Sequence, residues 1–591
     1  MNKQECDILI EIKKFPGLTQ RELAQKSGYS LGAVNKSLRL LMKENYLTKE
    51  LQLTLQAEKF LEQAKPQNAV VLAAGFGMRM VPINTETPKG LLEVQGERLI
   101  ERTIRQLKEV GVQHIYVVVG FLKEMYEYLI DDFGVELLVA ADYAHKNNLH
   151  SLNRAVKHLE NSYIIPCDIW CKENPYAQYE PYSWYMVTDA QNPKSMVRVN
   201  RKRELVLTSL GKGGSDMIGT AYLTGEDGRN VARHIGELCT QPRHDQDFWE
   251  AALFDTDSVT VQAKLARAED VVEINTYEQL RELDKNSKQL KSQALQVAAD
   301  ALQISPEEIQ HITVLKKGMT NRSFLFDVKG DKYIMRIPGD DAEKVVNHEE
   351  EIAVYHALEG LDLADDVIYI DPTSGFKVAR YLENARVCDP DRVEDLQKCM
   401  AKLRQFHSLE LQAEHEFDIY KKIDFYESLW QGTPSVYRDY EETKAHVQEL
   451  KAYTDAHAKK KCLTHMDAVP DNFLLARDAD GKEQLRLIDW EYAAMQDPVV
   501  DIAMFCIYSL YDRQQVERLI DIYFENSCQE SVRTRIYCYI SACGLLWSNW
   551  CEYKRNLGVE FGEYSLKQYR FAKEYYHIAK ERIKRENNEN C

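Results

Sequence analysis

The chain has 591 residues, of which 44% are hydrophobic and 28% are charged, and its formal net charge is −18. This length is too great for one hydrophobic core and predicts about three to four domains. The negative charge argues against nucleic acid as the partner of the whole chain.

The start of the chain is polar and charged, which predicts that it is not a signal peptide. No apolar run approaches the ~18 residues that a membrane-spanning helix needs. The thirteen cysteines are scattered, without a C-x-x-C pair or a zinc-type Cys/His spacing. We therefore expect a cytoplasmic protein with reduced thiols and no membrane contact.

Residues 1–65 have the pattern of a small helical domain. The stretch Thr19-Gln-Arg-Glu22 predicts a capping box at the start of a helix. Ser30 is placed to cap the next helix, after a glycine turn. Residues 46–48 and 51–55 predict two short strands that would form a wing.

This segment resembles the winged helix-turn-helix family, in which the second helix of the motif enters the major groove of DNA. The first 64 residues hold ten Lys and Arg against eight Asp and Glu. Such modules also serve as protein-contact or dimerisation domains, so a DNA partner and a protein partner both remain open. The DNA contacts that the resemblance implies are Ser30, Asn35, Lys36 and Arg39.

The stretch Asn68-Ala-Val-Val-Leu-Ala-Ala-Gly75 predicts a buried strand that runs into a glycine turn. Gly75 and Gly77 would let the backbone approach phosphates closely. Arg79 and Lys89 would place positive charge where a pyrophosphate leaves. A glycine loop alone is a weak signal, but here it is combined with P-K-G-L-L-E-V-x-G at residues 88–96 and Leu-Ile-Glu at 99–101.

Residues 66–285 resemble the sugar-nucleotide and phosphocholine nucleotidyltransferases, which have a Rossmann-like α/β fold. The resemblance implies CTP as a substrate, catalytic roles for Arg79 and Lys89, and Mg²⁺ bound by Asp168 and Asn275, where many relatives have Asp at the second position. Ser151 could instead cap a helix over residues 152–156. The implied nucleotide contacts are Ala73, Gly75, Gly77, Asn148 and Ser151.

Two stretches, residues 147–152 and 213–216, resemble the phosphocholine branch more than the sugar-1-phosphate branch. A quaternary ammonium such as that of choline is attracted to aromatic faces. The rings that could serve this purpose, or belong to an ordinary core, are Trp170, Tyr182, Trp184, Tyr185 and Trp249.

The stretch from His465 to Asn472 has the spacing H-x-D-x-x-x-x-N, and Asp489 follows seventeen residues later, after an apolar run. Phosphoryl transfer needs one Asp beside the attacking hydroxyl, and an Asn and a second Asp to hold Mg²⁺ on the nucleotide phosphates. Arg336 stands where protein kinases place their strand lysine, and Glu351 is its expected ion-pair partner.

Residues 290–591 resemble the choline/ethanolamine kinase branch of the protein-kinase-like fold. The resemblance implies that Asp467 is the catalytic base and that Asn472 and Asp489 hold Mg²⁺. His465 is expected to brace the catalytic loop. The implied contacts to ATP are Thr320, Asn321, Arg336 and Glu351.

The nitrogen of choline cannot donate a hydrogen bond, so a protein must hold it with aromatic faces and carboxylates. Glu491 and Asp497 could supply the negative charge. The aromatic candidates for a choline site, which could equally be core residues, are Trp547, Trp550, Tyr564 and Tyr569.

The fold class that we predict is multi-domain, α/β and α+β, with boundaries at 1–65, 66–285 and 290–591. The last domain would phosphorylate choline with ATP, and the middle domain would join phosphocholine to CTP. By resemblance, the product CDP-choline would supply phosphocholine for cell-surface glycans. The alternatives are a transcription regulator that senses choline or nucleotide, or the same enzymes acting on ethanolamine or a sugar phosphate.

Overall fold

The computed structural model describes residues 1–83, 87–195, 197–208, 212–254, 260–315, 321–339, 346–458, 460–477, 481–557, 559 and 561–589. The chain forms two compact units, Met1–Gln293 and Ala294–Cys591. Within the described ranges, no helix is both long enough and apolar enough to cross a membrane. The further division of the first unit at residue 65 stays a prediction.

Four helices open the first unit. Thr19 accepts a hydrogen bond from the Glu22 backbone and Ser30 accepts one from Ala33, so both predicted helix caps are confirmed. The helices share a small core of aliphatic side chains. Their bounds are α1 (Lys3–Lys14), α2 (Gln20–Ser27), α3 (Leu31–Lys43) and α4 (Leu55–Gln63).

The two predicted wing strands pair with each other, but only over a short stretch, since the amides of Thr48 and Thr54 donate to the carbonyls of Gln52 and Tyr46. The described chain forms one isolated antiparallel bridge there, between Leu47 and Leu53. Thr54 caps α4 by accepting a hydrogen bond from the Ala57 backbone, so the helix begins at Leu55, inside the second expected strand. The Thr54 side chain sets this boundary, because it accepts a hydrogen bond from a backbone amide in the first turn that has no partner within the helix.

The rest of the first unit alternates strands and helices. In chain order they are β1 (Asn68–Ala73), β2 (Glu93–Val94), β3 (Glu97–Arg98), α5 (Leu99–Glu109), β4 (His114–Val119), α6 (Leu129–Phe133), β5 (Glu136–Val139), α7 (Asn148–Asn153), β6 (Ser162–Pro166), β7 (Ile169–Cys171), β8 (Trp184–Asn192), β9 (Val197–Val199), β10 (Leu205–Leu207), β11 (Gly214–Leu223), α8 (Gly225–Cys239), α9 (Glu250–Phe254), β12 (Gln262–Ala266), β13 (Val271–Glu273) and α10 (Tyr277–Leu283).

A seven-stranded sheet in the order β12-β8-β11-β6-β1-β4-β5 forms the centre of this unit. Alternate side chains of β1 enter different cores: Val71 lies in one and Val70 in the other. Both faces are therefore covered, which explains the continuous apolar run of this strand. Because β1 is parallel to β4 and β6, the carboxyl ends of the three strands meet at one edge.

The second unit combines a five-stranded antiparallel sheet, in the order β14-β15-β16-β18-β17, with a large helical part. The long helix α19 packs against α14, α17 and α20. In chain order the elements are α11 (Gln293–Leu302), β14 (Gln310–Val314), β15 (Asn321–Val328), β16 (Asp331–Pro338), α12 (His348–Leu358), β17 (Val367–Ile370), β18 (Lys377–Arg380), β19 (Arg386–Val387), α13 (Val393–Ser408), α14 (Ile419–Ser428), α15 (Tyr440–Glu449), α16 (Lys451–His457), β20 (Cys462–Thr464), β21 (Phe473–Arg477), β22 (Glu483–Leu487), β23 (Ala494–Gln496), α17 (Val500–Tyr508), α18 (Arg513–Tyr523), α19 (Glu530–Asn556) and α20 (Glu563–Glu589).

Candidate active sites

The glycine turn of the first unit lies at the carboxyl end of β1, directly after Ala73. Gly77 has φ = +66°, in the left-handed region that favours glycine. A Cβ at Gly77 would lie 2.9 Å from Cγ of Lys89, so the glycine also makes room for the lysine side chain. At Gly75 a Cβ would meet no described atom within 4 Å, which leaves space beside the turn.

Lys89 lies between two oxygen atoms from distant parts of the sequence. Its Nζ donates to Oδ2 of Asp168 at 2.8 Å and to Oδ1 of Asn275 at 2.8 Å, and Arg79 donates to the same Asn275 oxygen at 2.8 Å. Asn275 arrives there because β13 pairs with β7 and the Ile274 amide donates to the Asp168 carbonyl at 2.9 Å. The structure thus brings together all four residues that the sequence assigned to catalysis and metal binding in this unit.

The same two oxygens fit a divalent cation. One carboxylate and one amide oxygen, both already turned towards a positive charge, are ligand types that Mg²⁺ accepts. Burial, with the Asp168 charge as the second cause, raises the pKa of the nearby Glu273. Asp168 and Asn275 would hold such a cation.

The two residues on α7 that were expected to contact the nucleotide, Asn148 and Ser151, also have structural roles within the protein. Asn147 caps this helix, and Oδ1 of Asn148 accepts a hydrogen bond from the Trp249 backbone at 2.8 Å. Ser151 is buried inside α7, so the alternative that it caps a helix over residues 152–156 is wrong. A contact from Asn148 or Ser151 to the base or ribose stays a prediction.

Glu250, at the start of α9, is a residue that the sequence analysis missed. Its Oε1 accepts a hydrogen bond from the Tyr185 hydroxyl at 2.8 Å, while its Oε2 is buried without a hydrogen-bond partner among the described residues. Burial raises the pKa of this carboxyl to about 7. A Cβ at Gly219 would approach both Oε1 of Glu250 and the ring of Pro166, which places Glu250 beside the end of β6.

Two of the aromatic residues considered for an ammonium group, Tyr185 and Trp249, are fully buried core residues, and the Tyr185 hydroxyl bonds this carboxylate. The rings of Tyr185 and Trp249 are 6.0 Å apart. Tyr182 and Trp184 are used elsewhere, since their polar atoms donate to Asp7 and Glu180. Glu250 could have been noticed from its place directly after Trp249, although a single Glu on a short helix is no signal by itself.

In the second unit, hydrogen bonds from within and outside the loop hold the stretch from His465 to Asn472 in place. His465 is fully buried, which lowers its pKa, and its ring bonds the Ile488 carbonyl at 3.0 Å and the Asp467 amide at 3.2 Å. Asp501 accepts hydrogen bonds from the amides of His465 and Met466 at 3.0 and 2.8 Å. This geometry agrees with the expectation that His465 braces the loop.

The surroundings of Asp467 suit it to accept a proton. Burial, and next the charge of Asp489, raise the pKa of its carboxyl to about 7. Asn472 donates to Oδ2 of Asp467 at 3.1 Å and to its carbonyl at 2.9 Å. A carboxyl that titrates near neutral pH can take a proton from an alcohol during its attack and release it again.

Arg336 is buried among carboxylates. Its Nη2 bonds both oxygens of Glu351, at 2.8 and 2.6 Å, and its Nη1 bonds Asp489 at 2.7 Å and Glu491 at 3.1 Å. The expected ion pair with Glu351 therefore forms. Burial alone would raise the pKa of Asp489, but Arg336 and Lys377 outweigh it and lower that pKa.

This cluster also fits a divalent cation. Met466 and Asp489 both have φ = +65°, a backbone conformation that non-glycine residues adopt at some cost and that occurs often at active sites. A carboxylate at Asp489 and an amide oxygen at Asn472 are the donor types that Mg²⁺ accepts, and these two residues would hold it. Of the expected ATP contacts, Thr320 and the side chain of Asn321 lie outside the described residues.

Three partly open aromatic rings lie near the acidic cluster. The rings of Tyr492 and Trp547 meet edge to face at 6.1 Å, and Tyr564 contacts Tyr508 in the same way at 6.2 Å. Burial raises the pKa of Tyr492 and Tyr564, and the Asp467 charge adds to the effect at both. Tyr492, which directly follows Glu491, was missed by the sequence analysis.

Two of the expected cage residues are placed as core residues. Trp550 is buried, with its ring 5.1 Å from that of Phe561. Tyr569 is buried as well, stacks on Tyr437 at 3.8 Å and donates its hydroxyl to Asp439.

Asp497, the second carboxylate considered for choline, is buried and forms an ion pair with Arg535 at 2.6 Å. Its charge is thus already used inside the second unit. Glu491 is also paired, with Arg336 at 3.1 Å, but it lies in the cluster with Asp489 and remains the acidic candidate there.

Helix α3 carries the residues expected to contact DNA. Lys36 and Arg39 are exposed, whereas Asn35 is half-buried. Ser30 is exposed and its side chain serves as the helix cap.

Three family profiles match successive parts of the chain. A profile described as "Winged helix-turn-helix DNA-binding" matches residues 1–48. One described as "MobA-like NTP transferase domain" matches residues 69–179. One described as "Choline/ethanolamine kinase" matches residues 312–539.

Several known proteins are similar to parts of this chain. The chain is 33% identical over 205 residues to 2-aminoethylphosphonate cytidylyltransferase of Lancefieldella rimae, covering 32% of this chain and 79% of that protein. It is 42% identical over 108 residues to choline-phosphate cytidylyltransferase of Streptococcus pneumoniae, covering 18% of this chain and 47% of that protein. Among solved structures, choline kinase LicA of Streptococcus pneumoniae shares 27% identity, with a TM-score of 0.42 over 49% of this chain and all of that one.

The match to most of a cytidylyltransferase coincides with the assembled Lys89–Asp168–Asn275 cluster, and the kinase profile covers the loop that holds Asp467. The chain therefore belongs to the nucleotidyltransferase family of these cytidylyltransferases, and it is an enzyme that joins such a domain to a choline kinase-like phosphotransferase and a winged helix-turn-helix.

Proposed function

We propose that this chain makes CDP-choline from choline in two consecutive reactions. The observation that carries the proposal is the group of partly open rings, Tyr492, Trp547 and Tyr564, beside the acidic cluster of Asp467 and Glu491. Aromatic faces and carboxylates together suit a quaternary ammonium, which offers no hydrogen-bond donor. The second unit would phosphorylate choline and the first would use the product.

In the first reaction, Asp467 accepts the proton of the choline hydroxyl. The hydroxyl oxygen bonds to the γ-phosphorus of ATP, and the bond from that phosphorus to the bridging oxygen breaks, which releases ADP. Mg²⁺, when bound, supplies charge neutralisation on the phosphates. Glu351 holds the guanidinium of Arg336, which faces the same cluster.

In the second reaction, a phosphate oxygen of phosphocholine bonds to the α-phosphorus of CTP, and pyrophosphate leaves. Lys89 and Arg79 lie together at the glycine turn and would stabilise the charge that develops on the leaving group. The buried oxygen Oε2 of Glu250 would face the ammonium end of the acceptor. By resemblance, the product would feed the decoration of cell-surface glycans.

A second candidate acceptor is an aminoalkyl phosphonate. The relative from Lancefieldella rimae is named for 2-aminoethylphosphonate. Its primary ammonium could donate a hydrogen bond to Oε2 of Glu250, which phosphocholine cannot do. Both acceptors combine an anionic phosphorus group with a cationic nitrogen two carbons away, and they differ in the hydrogen bonds of that nitrogen.

The acceptor is tested by measuring kcat/KM for CTP consumption with phosphocholine, phosphoethanolamine, 2-aminoethylphosphonate and a sugar 1-phosphate. The proposal expects phosphocholine to give the highest value. A higher value for 2-aminoethylphosphonate would transfer the proposal to that acceptor. Turnover of the sugar phosphate alone would refute a cationic acceptor.

For the winged helix-turn-helix we propose DNA as the partner, on the basis of the exposed Lys36 and Arg39 on α3. Binding of labelled genomic fragments should weaken when both residues are changed to Ala, with a reduced dependence on salt. Equal binding by the two proteins would favour a protein contact instead.

A further inference from the structure

Lys377 is a buried cation next to the phosphotransferase cluster that has no assigned role. It lies on β18 directly opposite Arg336 of β16. Its Nζ is 3.4 Å from Oε1 of Glu351 and donates to the Tyr355 hydroxyl at 3.0 Å. The side chain is 7% exposed, and Glu351 is fully buried. Burying an ammonium is costly unless it is paired, so its position calls for a reason.

The contacts of Lys377 fix helix α12 to the sheet. Glu351 and Tyr355 are four residues apart, on one face of α12, so a single lysine can reach both. The Tyr355 hydroxyl donates in turn to Asp365 at 2.8 Å, just before β17. The chain Lys377–Tyr355–Asp365 therefore links β18, α12 and the approach to β17.

The guanidinium of Arg336 binds carboxylates on two sides. One side of its guanidinium binds Glu351, and the other side binds Asp489 and Glu491. Asp489 is also the carboxylate that would hold the divalent cation of the nucleotide. When Asp489 turns to that cation, Arg336 loses one of its partners, and Glu351, which holds the other side of the guanidinium, orients it together with Glu491.

We propose that Lys377 is a positioning residue for phosphoryl transfer: it holds Glu351 and α12 in place so that Arg336 stays aimed at the nucleotide phosphates when Asp489 is engaged by the cation. A second cation on Glu351 keeps that carboxylate fixed whichever partners Arg336 has. The effect should appear in the binding of MgATP and not in the binding of the acceptor alcohol. The proposal depends on the phosphotransferase activity and not on choline as its substrate.

The test compares Lys377→Met and Lys377→Arg with the wild-type full-length chain. Calorimetric titration with MgATP should show affinity reduced at least about tenfold in Lys377→Met, since a buried carboxylate loses one partner. Lys377→Arg should recover most of the affinity. The KM for the acceptor alcohol and the rate of cytidylyl transfer should be unchanged in both variants.

Arg380→Met is the matched control, because Arg380 lies on the same strand but is half-exposed and pairs with Asp366. It should bind MgATP like the wild type. If Lys377→Met does not fold, Tyr355→Phe removes one acceptor of the lysine and should weaken MgATP binding in the same direction. MgATP affinity unchanged in Lys377→Met, or in Tyr355→Phe where Lys377→Met is unfolded, would overturn the proposal. A wild-type chain that binds no MgATP would overturn the phosphotransferase function as well.

Discussion

Nζ of Lys89 lies 2.8 Å from Oδ2 of Asp168, although 79 positions separate the two residues in the chain. Together with Asn275 this contact creates a point where two oxygens surround a positive charge. In the nucleotidyl transfer that we propose, the same lysine stabilises the phosphates of the nucleotide. Its ammonium must therefore bind Asp168 and Asn275 in the free protein and the phosphates when substrate is bound.

Replacement of Lys89 by Met should lower the kcat of cytidylyl transfer by about 10²-fold or more, because a fixed charge at the leaving group is lost. Phosphorylation of choline by the same variant should match the wild type, since Asp467 lies in the other unit. Both rates are measured on one preparation. A variant that retains full cytidylyl transfer would remove Lys89 from the catalytic set.

Replacement of Asp467 by Asn should reduce choline phosphorylation by roughly 10²- to 10⁴-fold, the range expected for a lost general base. Cytidylyl transfer to added phosphocholine should be unaffected. ADP release and pyrophosphate release report the two reactions separately. Loss of both activities in a folded variant would contradict two independent sites.

Glu250→Gln should have opposite effects on stability and on acceptor binding. The pKa of this carboxyl is raised by burial to about 7, so between about pH 4.5 and 7 the folded chain binds more protons than the unfolded chain, and its stability falls as pH rises. At pH 8 the free energy of unfolding of the Gln variant should therefore exceed that of the wild type by up to about 3 kcal/mol, as measured by denaturant titration.

The same variant should have a raised KM for the cationic acceptor at pH 8, because the negative charge is lost. In the wild type this KM should rise as pH falls below about 7, and in the variant it should be flat over that range. A wild-type KM that does not change between pH 6 and 8 would separate Glu250 from the acceptor.

Trp547→Ala should raise the KM for choline roughly 3- to 30-fold, which corresponds to the loss of one cation–π contact. Tyr569→Phe is the control, because Tyr569 is buried and its hydroxyl binds Asp439. The control should leave the KM for choline unchanged while it lowers stability. Equal KM values for Trp547→Ala and the wild type would remove the ring from the choline site.

Sequence spacing predicted the parts of these sites that follow directly from local pattern. The loop from His465 to Asn472, the position of Arg336 opposite Glu351, and the helix caps at Thr19 and Ser30 all depend on contacts that short motifs determine.

Other features depend on packing between distant segments, which spacing does not reveal. The buried setting of Glu250 is made by Tyr185 and the end of β6. Tyr569 is a core residue because Tyr437 stacks on its ring and Asp439 accepts its hydroxyl. The second wing strand ends before Leu55, one residue earlier than expected, because the Thr54 side chain caps a helix that begins there.

The most direct test of the account is product formation by the purified chain with Mg²⁺. It predicts that CDP-choline forms from choline and CTP only when ATP is present, and from phosphocholine and CTP without ATP, as resolved by chromatography. Absence of CDP-choline from phosphocholine and CTP would contradict the central claim, even if choline were phosphorylated.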